Sequence, residues 1–313
     1  MMPADPSAET LLFTIGAGKQ TVALLPVLIP KWKKIRLGIR SDKSLSRLQT
    51  SFPATEIIKT DLDNPNSVNR LIQGVSVVFH FGPSFHTRES DLGLCVIDAA
   101  AAINRTNPVT IKHFVLSSVV GSQLAKLPNH ACKRPVEEAL MESGLPYTIL
   151  QPTFRMDVFP LRIILNQKPA DGGPIVYKAA WRPEIKTSFV TLRGQSEAAS
   201  VVLEERERHL YATYLLVSTP EPILYAEFVR RAVAVAGERI EVGYQRYEEA
   251  VALYLGILFG GEDKADPEVR DGLQRTLLYY KHRGLLGSST QLEWLIGRKG
   301  ETVEEWARGV LDL

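Results

Sequence analysis

The chain has 313 residues, 45% of them hydrophobic, enough for one large α/β unit or a nucleotide domain with a smaller second lobe, with no need of stapling disulfides. Lysine and arginine number 37 against 35 aspartates and glutamates, and a net charge of +2 points to neither a nucleic-acid groove nor an anionic membrane face. Cys95 and Cys132, the only cysteines, fit a reducing compartment and exclude a cysteine-rich metal site; the opening MMPADPSAET has no leader character and no apolar run reaches the ~18 residues of a membrane span, so the expectation is a cytoplasmic protein with no metal, membrane or nucleic-acid partner.

In chain order, Leu11 to Ile15 read as a short buried strand. Gly16 and Gly18 give a turn free of Cβ clashes, and a helix opens at Lys19, short or kinked because of Pro26 and Pro30. KIRLGIR is a strand ending at Arg40, EIIKTDL a strand ending at Asp61, SVNRLIQGV a helix closed by Gly74, and Val75 to Phe81 a buried strand broken by Gly82-Pro83. DLGLCVIDAAAAI then reads as a helix, IKHFVLSS as a strand, KRPVEEALMESG as a helix stopped by Gly144, and YTILQP as a strand. This alternation predicts right-handed βαβ crossovers and an α/β, Rossmann-type, doubly wound parallel sheet. Beyond Pro152, three prolines and Asp171-Gly172-Gly173 predict a mixed excursion. SFVTL, QSEAASVVLEERE, YLLVS and ILYAEFVRRAVAVAG follow as strand, helix, strand and helix, and Thr302 with Glu305 forms a capping box for a last helix. Residues 1–154 are expected to form a nucleotide-binding Rossmann domain. Residues 155–313 are expected to add a mixed segment completing the sheet and a smaller, mostly helical substrate lobe.

A pyrophosphate is held by backbone N–H groups at a helix N-terminus, and glycine lets that backbone come close. Gly16 and Gly18 supply this, while Ile15 and Thr21 stand where a glycine-rich loop has further glycines. The end of the second strand faces the adenosine ribose, and an arginine there favours a 2′-phosphate; Arg40 does so, with Lys43 as a second charge. Asp61 either accepts from an adenine amine or caps the next helix, a task that Asn64 or Asn66 serves better. Gly82 lies at the crevice outside the carboxyl ends of the strands, and the loop after it carries Phe85 and His86. Cys132 reads as an inert packed thiol, since no base stands beside it in the sequence.

Ser117-Ser118, Lys133 ahead of Val136-Glu137-Glu138, the run Ser143 to Leu150, and Gln151-Pro152-Thr153-Phe154 resemble the NmrA-like family of atypical short-chain dehydrogenases/reductases, its fungal-type members in particular. The likeness extends to Asp61-Leu62, Ile97-Asp98-Ala99-Ala100 and Leu295-Ile296-Gly297-Arg298. It implies NADP(H) as cofactor. The family's glycine loop falls on Ile15 to Thr21, Lys19-Gln20 match its basic-Gln pair, and Arg40 matches the residue at the 2′-phosphate. Asp61 and Leu62 match its third-strand end, Lys133 matches the lysine against the nicotinamide ribose in catalytic branches, and Pro152, Thr153 and Phe154 match its nicotinamide end. Where other short-chain dehydrogenases read Tyr-x-x-x-Lys, this chain reads Asn129-His130-Ala131-Cys132-Lys133, so the phenol that protonates a carbonyl is absent. Lys133 is then the candidate catalytic group, and Phe85, His86, Ser118 and Asn129 are candidate substrate contacts. Three functions stay open: an NADPH-dependent oxidoreductase acting on a small, largely apolar molecule, a non-enzymatic NADP sensor that reports to a protein partner, and a non-redox isomerase or lyase on a dehydrogenase frame.

Overall fold

The structure is a computed structural model and describes residues 4–313. Its centre is a seven-stranded sheet of short runs rich in Leu, Ile, Val and Phe. The strands are β1 (Thr10–Phe13), β2 (Lys34–Ile39), β3 (Glu56–Lys59), β4 (Val77–His80), β5 (His113–Ser117), β6 (Tyr147–Pro152) and the edge strand Ala212–Leu216. Across the sheet they run edge strand, β6, β5, β4, β1, β2, β3, and every pairing is parallel. The chain order reverses between β4 and β1, and a crevice opens at the carboxyl ends there.

Parallel sheets need cover on both faces, and each face has its own apolar core. On one, Phe13, Phe79 and Leu216 pack against Leu24 and Leu25 of the helix Lys19–Leu28 and Val202 and Leu203 of the helix Leu192–Glu204. On the other, Leu12, Val78 and Phe114 meet Val96 and Ile97 of the helix Glu89–Thr106 and Leu140 of the helix Arg134–Glu142. Pro26 sits inside the first helix without ending it, and that helix stops at Leu28. Asn64, not Asp61, caps the helix Pro65–Ile72, accepting from the N–H groups of Asn66 and Ser67. A buried ion pair, Arg206 with Glu9, ties the end of the helix Leu192–Glu204 to the start of β1, and Lys112 adds a second contact to Glu9 at 2.9 Å.

A third core belongs to the C-terminal lobe, where Trp181, Phe189, Tyr225, Phe228, Leu273 and Trp306 pack together. The excursion after Pro152 contains the strand Ile175–Ala179, which pairs in parallel with Ile240–Tyr244. SFVTL shrinks to the two-residue strand Phe189–Val190, paired with Phe154–Arg155, because Thr191 caps the helix that begins at Leu192. The capping box of Thr302 and Glu305 is present at the last helix, Val303–Leu311. The helix Thr290–Ile296 packs with the sheet core through Leu292 and Leu295. Among the described residues no helix is long and apolar enough to cross a membrane.

Candidate functional site

The glycine loop is held by its neighbours. Gly16 N–H donates to Gly38 O at 2.7 Å, and a Cβ on Gly16 would lie 2.6 Å from Leu37 Cβ, so β2 presses directly on the turn. Gly18 is the N-cap of the helix Lys19–Leu28, whose first turn has no side-chain cap. The uncapped amides of such a turn are free to meet an anion. A Cβ on Gly18 would meet the Phe81 ring at 2.5 Å. The direction in which Gly18 lacks a side chain therefore points at Phe81, so its bareness also lets the Phe81 ring pack on the turn. Thr21 is fully buried, and its hydroxyl donates to Ile15 O at 2.9 Å, closing the turn where the family pattern has glycine. Gln20 accepts from Gln195 Nε2 at 2.8 Å and so faces the helix Leu192–Glu204, while Lys19 is exposed.

Across the carboxyl ends of β1, β2 and β3 lies a cavity of about 570 Å³, whose lining includes Ile15, Gly38, Arg40, Lys59, Asp61 and Leu62. Arg40 and Lys59 bring two cations to it. Lys43 does not line it: Ser41 caps the helix Asp42–Ser51, which puts Lys43 in an exposed first turn, and Ser44 reaches the cavity instead. Lys59 is oriented by Asp42, at 2.8 and 2.9 Å from its two oxygens. Asp61 Oδ1 accepts from Asp63 N–H at 3.0 Å. Arg88 bridges Asp63 at 2.8 Å and Asp91 at 3.1 Å, linking the loop after β4 to the loop after β3. These groups are largely exposed, so the bridge orients more than it stabilises. His86 also borders the cavity; its Nδ1 accepts from Arg88 N–H at 3.1 Å, which leaves the proton of the neutral ring on Nε2.

A second cavity, of about 220 Å³, shares His86 with the first and is lined also by Phe85, Glu89, Asn129, Cys132 and Val269. Phe85 has a left-handed backbone with φ of 56°, costly for a bulky side chain, and its N–H donates to Asn129 Oδ1 at 3.2 Å. Lys133 Nζ lies 2.7 Å from Glu89 Oε1 and donates to Asn129 O at 2.9 Å. Both partners are shielded, with 14% of the lysine and 3% of the glutamate side chain exposed. The sequence reading missed Glu89, which opens the helix Glu89–Thr106, where a carboxylate suits the positive end of the dipole. Gly82 packs directly on the Glu89 carboxyl group, with no space for a side chain. Burial pushes the Cys132 thiol up to about 11, so it is a packed, unreactive group.

The remaining candidates divide. Thr153 is buried, and both its N–H and its hydroxyl donate to Leu216 O, at 3.1 and 3.2 Å, beside the equally buried Pro152. Phe154 turns to the lobe, its ring 5.4 Å from Trp181 and 5.8 Å from Tyr280. Ser118 Oγ is buried without a hydrogen-bond partner among the described residues. His130 Nδ1 donates to Val120 O at 2.7 Å, which leaves Nε2 to accept the Tyr280 hydroxyl at 3.2 Å. Burial pushes this imidazole down to about 4. The lobe thus brings a phenol, Tyr280, to the segment where the sequence lacks one, a contact with no local signal in the chain.

Known proteins agree with this architecture. Triphenylmethane reductase of Citrobacter sp., solved with NADP(H), superposes with a TM-score of 0.74 at 19% identity, covering 96% of this chain and 99% of that one. NmrA, a negative transcriptional regulator solved with NADP, gives 0.73 at 16% identity, covering 98% and 96%. At these identities the likeness speaks for the fold. Protein TIC 62, chloroplastic, of Pisum sativum is 28% identical over 177 residues, 47% of this chain and 33% of that protein, so the matched stretch spans about a third of the relative's length. The family model described as the NmrA-like family matches residues 7–242, and the chain belongs to that family.

Proposed function

We propose that this protein binds NADP(H) in the crevice and uses it to reduce a small, largely apolar acceptor. The observation that carries the reading is the 570 Å³ cavity, where Arg40 stands at the end of β2, the strand end that faces an adenosine ribose, and Lys59 adds a second cation at the end of β3. The residues present fit the nucleotide: the helix starting at Lys19 offers uncapped amides, and Arg40 has the fork geometry for a 2′-phosphate. When bound, NADPH supplies a hydride. The chain's own residues bind and orient: Arg40 and Lys59 grip phosphate, Asp61 and Leu62 border the adenine end, and Phe85, His86 and Asn129 shape the small cavity beyond. Lys133, held by Glu89, is the candidate catalytic group behind that cavity, whose wall includes the Glu89 carboxyl group itself. The two relatives solved with NADP(H) support the cofactor assignment, and one of them is a reductase.

A second reading, an NADP sensor that reports to a protein partner, is favoured by one feature: Asn129 stands at the tyrosine position with its oxygen engaged by Phe85 N–H. Titration with NADPH and NADH, read by intrinsic fluorescence, tests the shared part. NADPH should bind at least tenfold better, about 1.4 kcal/mol, and Arg40→Ala should remove the difference. Equal affinities in the parent chain overturn the NADP(H) assignment. NADPH oxidation with a panel of quinones and conjugated carbonyls then separates the reductase, which turns some of them over, from the sensor, which binds and turns over none.

A further inference from the structure

Away from the crevice, a groove of about 350 Å³ lies between the end of the helix Pro267–His282 and the loop after β5. It is lined by Lys126, Arg275, Leu278, Tyr279, His282 and Arg283, with no acidic residue among them. Lys126, His282 and Arg283 are exposed and take part in no ion pair among the described residues. Among the described residues Arg275 pairs only with Asp271 one turn earlier on its own helix, at 2.7 Å, and both side chains are more than half exposed. Such a pair holds its guanidinium weakly. Between the cations, Leu278 is 46% exposed and Tyr279 partly so.

Basic residue types in the last turn of a helix suit its dipole, which accounts for the place of His282. It does not account for Lys126, which comes from a different loop, for Arg275 two turns earlier, or for an exposed leucine among them. In a chain whose net charge is only +2, this groove concentrates positive charge around an apolar floor. Tyrosine and arginine at the centre of a concave patch are the residues that dominate protein interfaces. A nucleic acid would instead ask for an extended track of cations following a phosphate backbone, with no use for Leu278. From this charge complementarity we infer that the groove docks an acidic segment of a partner protein, with carboxylates on Lys126, Arg275 and Arg283 and one apolar side chain over Leu278 and Tyr279. Arg283 also lines the small space beside Phe154, Trp181, Tyr225 and Tyr280, so a docked partner sits against the aromatic wall of the lobe.

The test uses the full chain and a fluorescein-labelled random copolymer of glutamate and tyrosine, followed by anisotropy. Saturable binding that weakens with added salt is expected, as is a loss of at least tenfold in affinity for Lys126→Glu with Arg283→Glu and several-fold for Leu278→Ser. All replaced residues are exposed, and melting curves confirm that the variants stay folded. Lys33→Glu with Lys34→Glu, an equal charge change at another exposed place, should leave binding intact. No binding, equal loss in that control pair, or tighter binding of polyuridylate lost in the same groove variants overturns the inference. None of these readouts involves NADPH, so the docking site and the cofactor reading stand or fall separately.

Discussion

Three histidines, His80, His113 and His130, make the fold acid-sensitive in a way that can be worked out. All are buried, and burial pushes them down to about 4, about 3 and about 4 respectively. The geometry shows why a second proton is refused at His113. Thr148 donates its only hydroxyl hydrogen to His209 O, so His113 Nε2 must donate to Thr148 at 2.8 Å, and Nδ1 is left buried with no partner among the described residues. Protonating it would strand a charged donor away from water. The folded values lie below the unfolded value of about 6.5, so this contribution to stability is complete above about pH 6.5 and is lost as the pH falls toward the folded values. At about pH 5 each histidine costs roughly 2 kcal/mol, from 1.4 kcal/mol per pH unit, and the three together about 6 kcal/mol. Against a total of about 5–15 kcal/mol for an ordinary protein, that is a large share. Urea titrations at stepped pH should show the midpoint falling steadily below about pH 6.5, with nearly three of the protons taken up on unfolding coming from these histidines. His113→Met should reduce that uptake by one. A midpoint that stays level down to about pH 5, or an uptake unchanged in the variant, would refute the reasoning.

Two further expectations concern the site itself. Lys133→Met leaves the Glu89 carboxylate buried and unpaired, and should cost about 3 kcal/mol or more, whereas adding Glu89→Gln should recover much of the loss in urea melts. Any loss of turnover in Lys133→Met is therefore read beside the double variant. Gly18→Ala should destabilise by about 1–3 kcal/mol by overpacking against Phe81, and Phe81→Ala in the same chain should relieve it. A purely additive result would show that the two do not touch.

The sheet was legible because strands buried on both faces read as unbroken apolar runs, and the strand ends then located Arg40 and Asp61 without any contact being known. What lies across the crevice was not. Whether Lys43 or Lys59 reaches the cavity depends on Ser41 capping a helix and on Asp42 steering the lysine of the next strand. Glu89 carries no mark in the sequence, because a carboxylate opening a helix reads as a complement to the dipole, and its partner Lys133 belongs to a segment on the far side of β5. The pressure of Phe81 on Gly18 is of the same kind. A glycine pattern reports that side chains are excluded, and only the packing says by what.

The position of the missing phenol shows how the site has been redistributed. Asn129 cannot release a proton, but it is not idle: its side-chain oxygen holds Phe85 N–H of the loop after β4, and its backbone oxygen holds Lys133 Nζ four residues on. The phenol that does come near, Tyr280, gives its hydrogen to His130, whose other nitrogen is bound to Val120 O. That proton points into the packing, and burial pushes the Tyr280 hydroxyl up, which makes it a poor acid. Simple ketones need a proton delivered as the alkoxide forms, and a placed acid typically contributes about 10²–10⁴-fold. The proposed reduction therefore counts on no placed acid: Lys133 is paired with Glu89, and it is the carboxyl group that borders the small cavity. The acceptors that suit such a site are those whose charge spreads over a conjugated system and whose proton arrives from water, which is why the proposed reduction is tested on quinones and conjugated carbonyls.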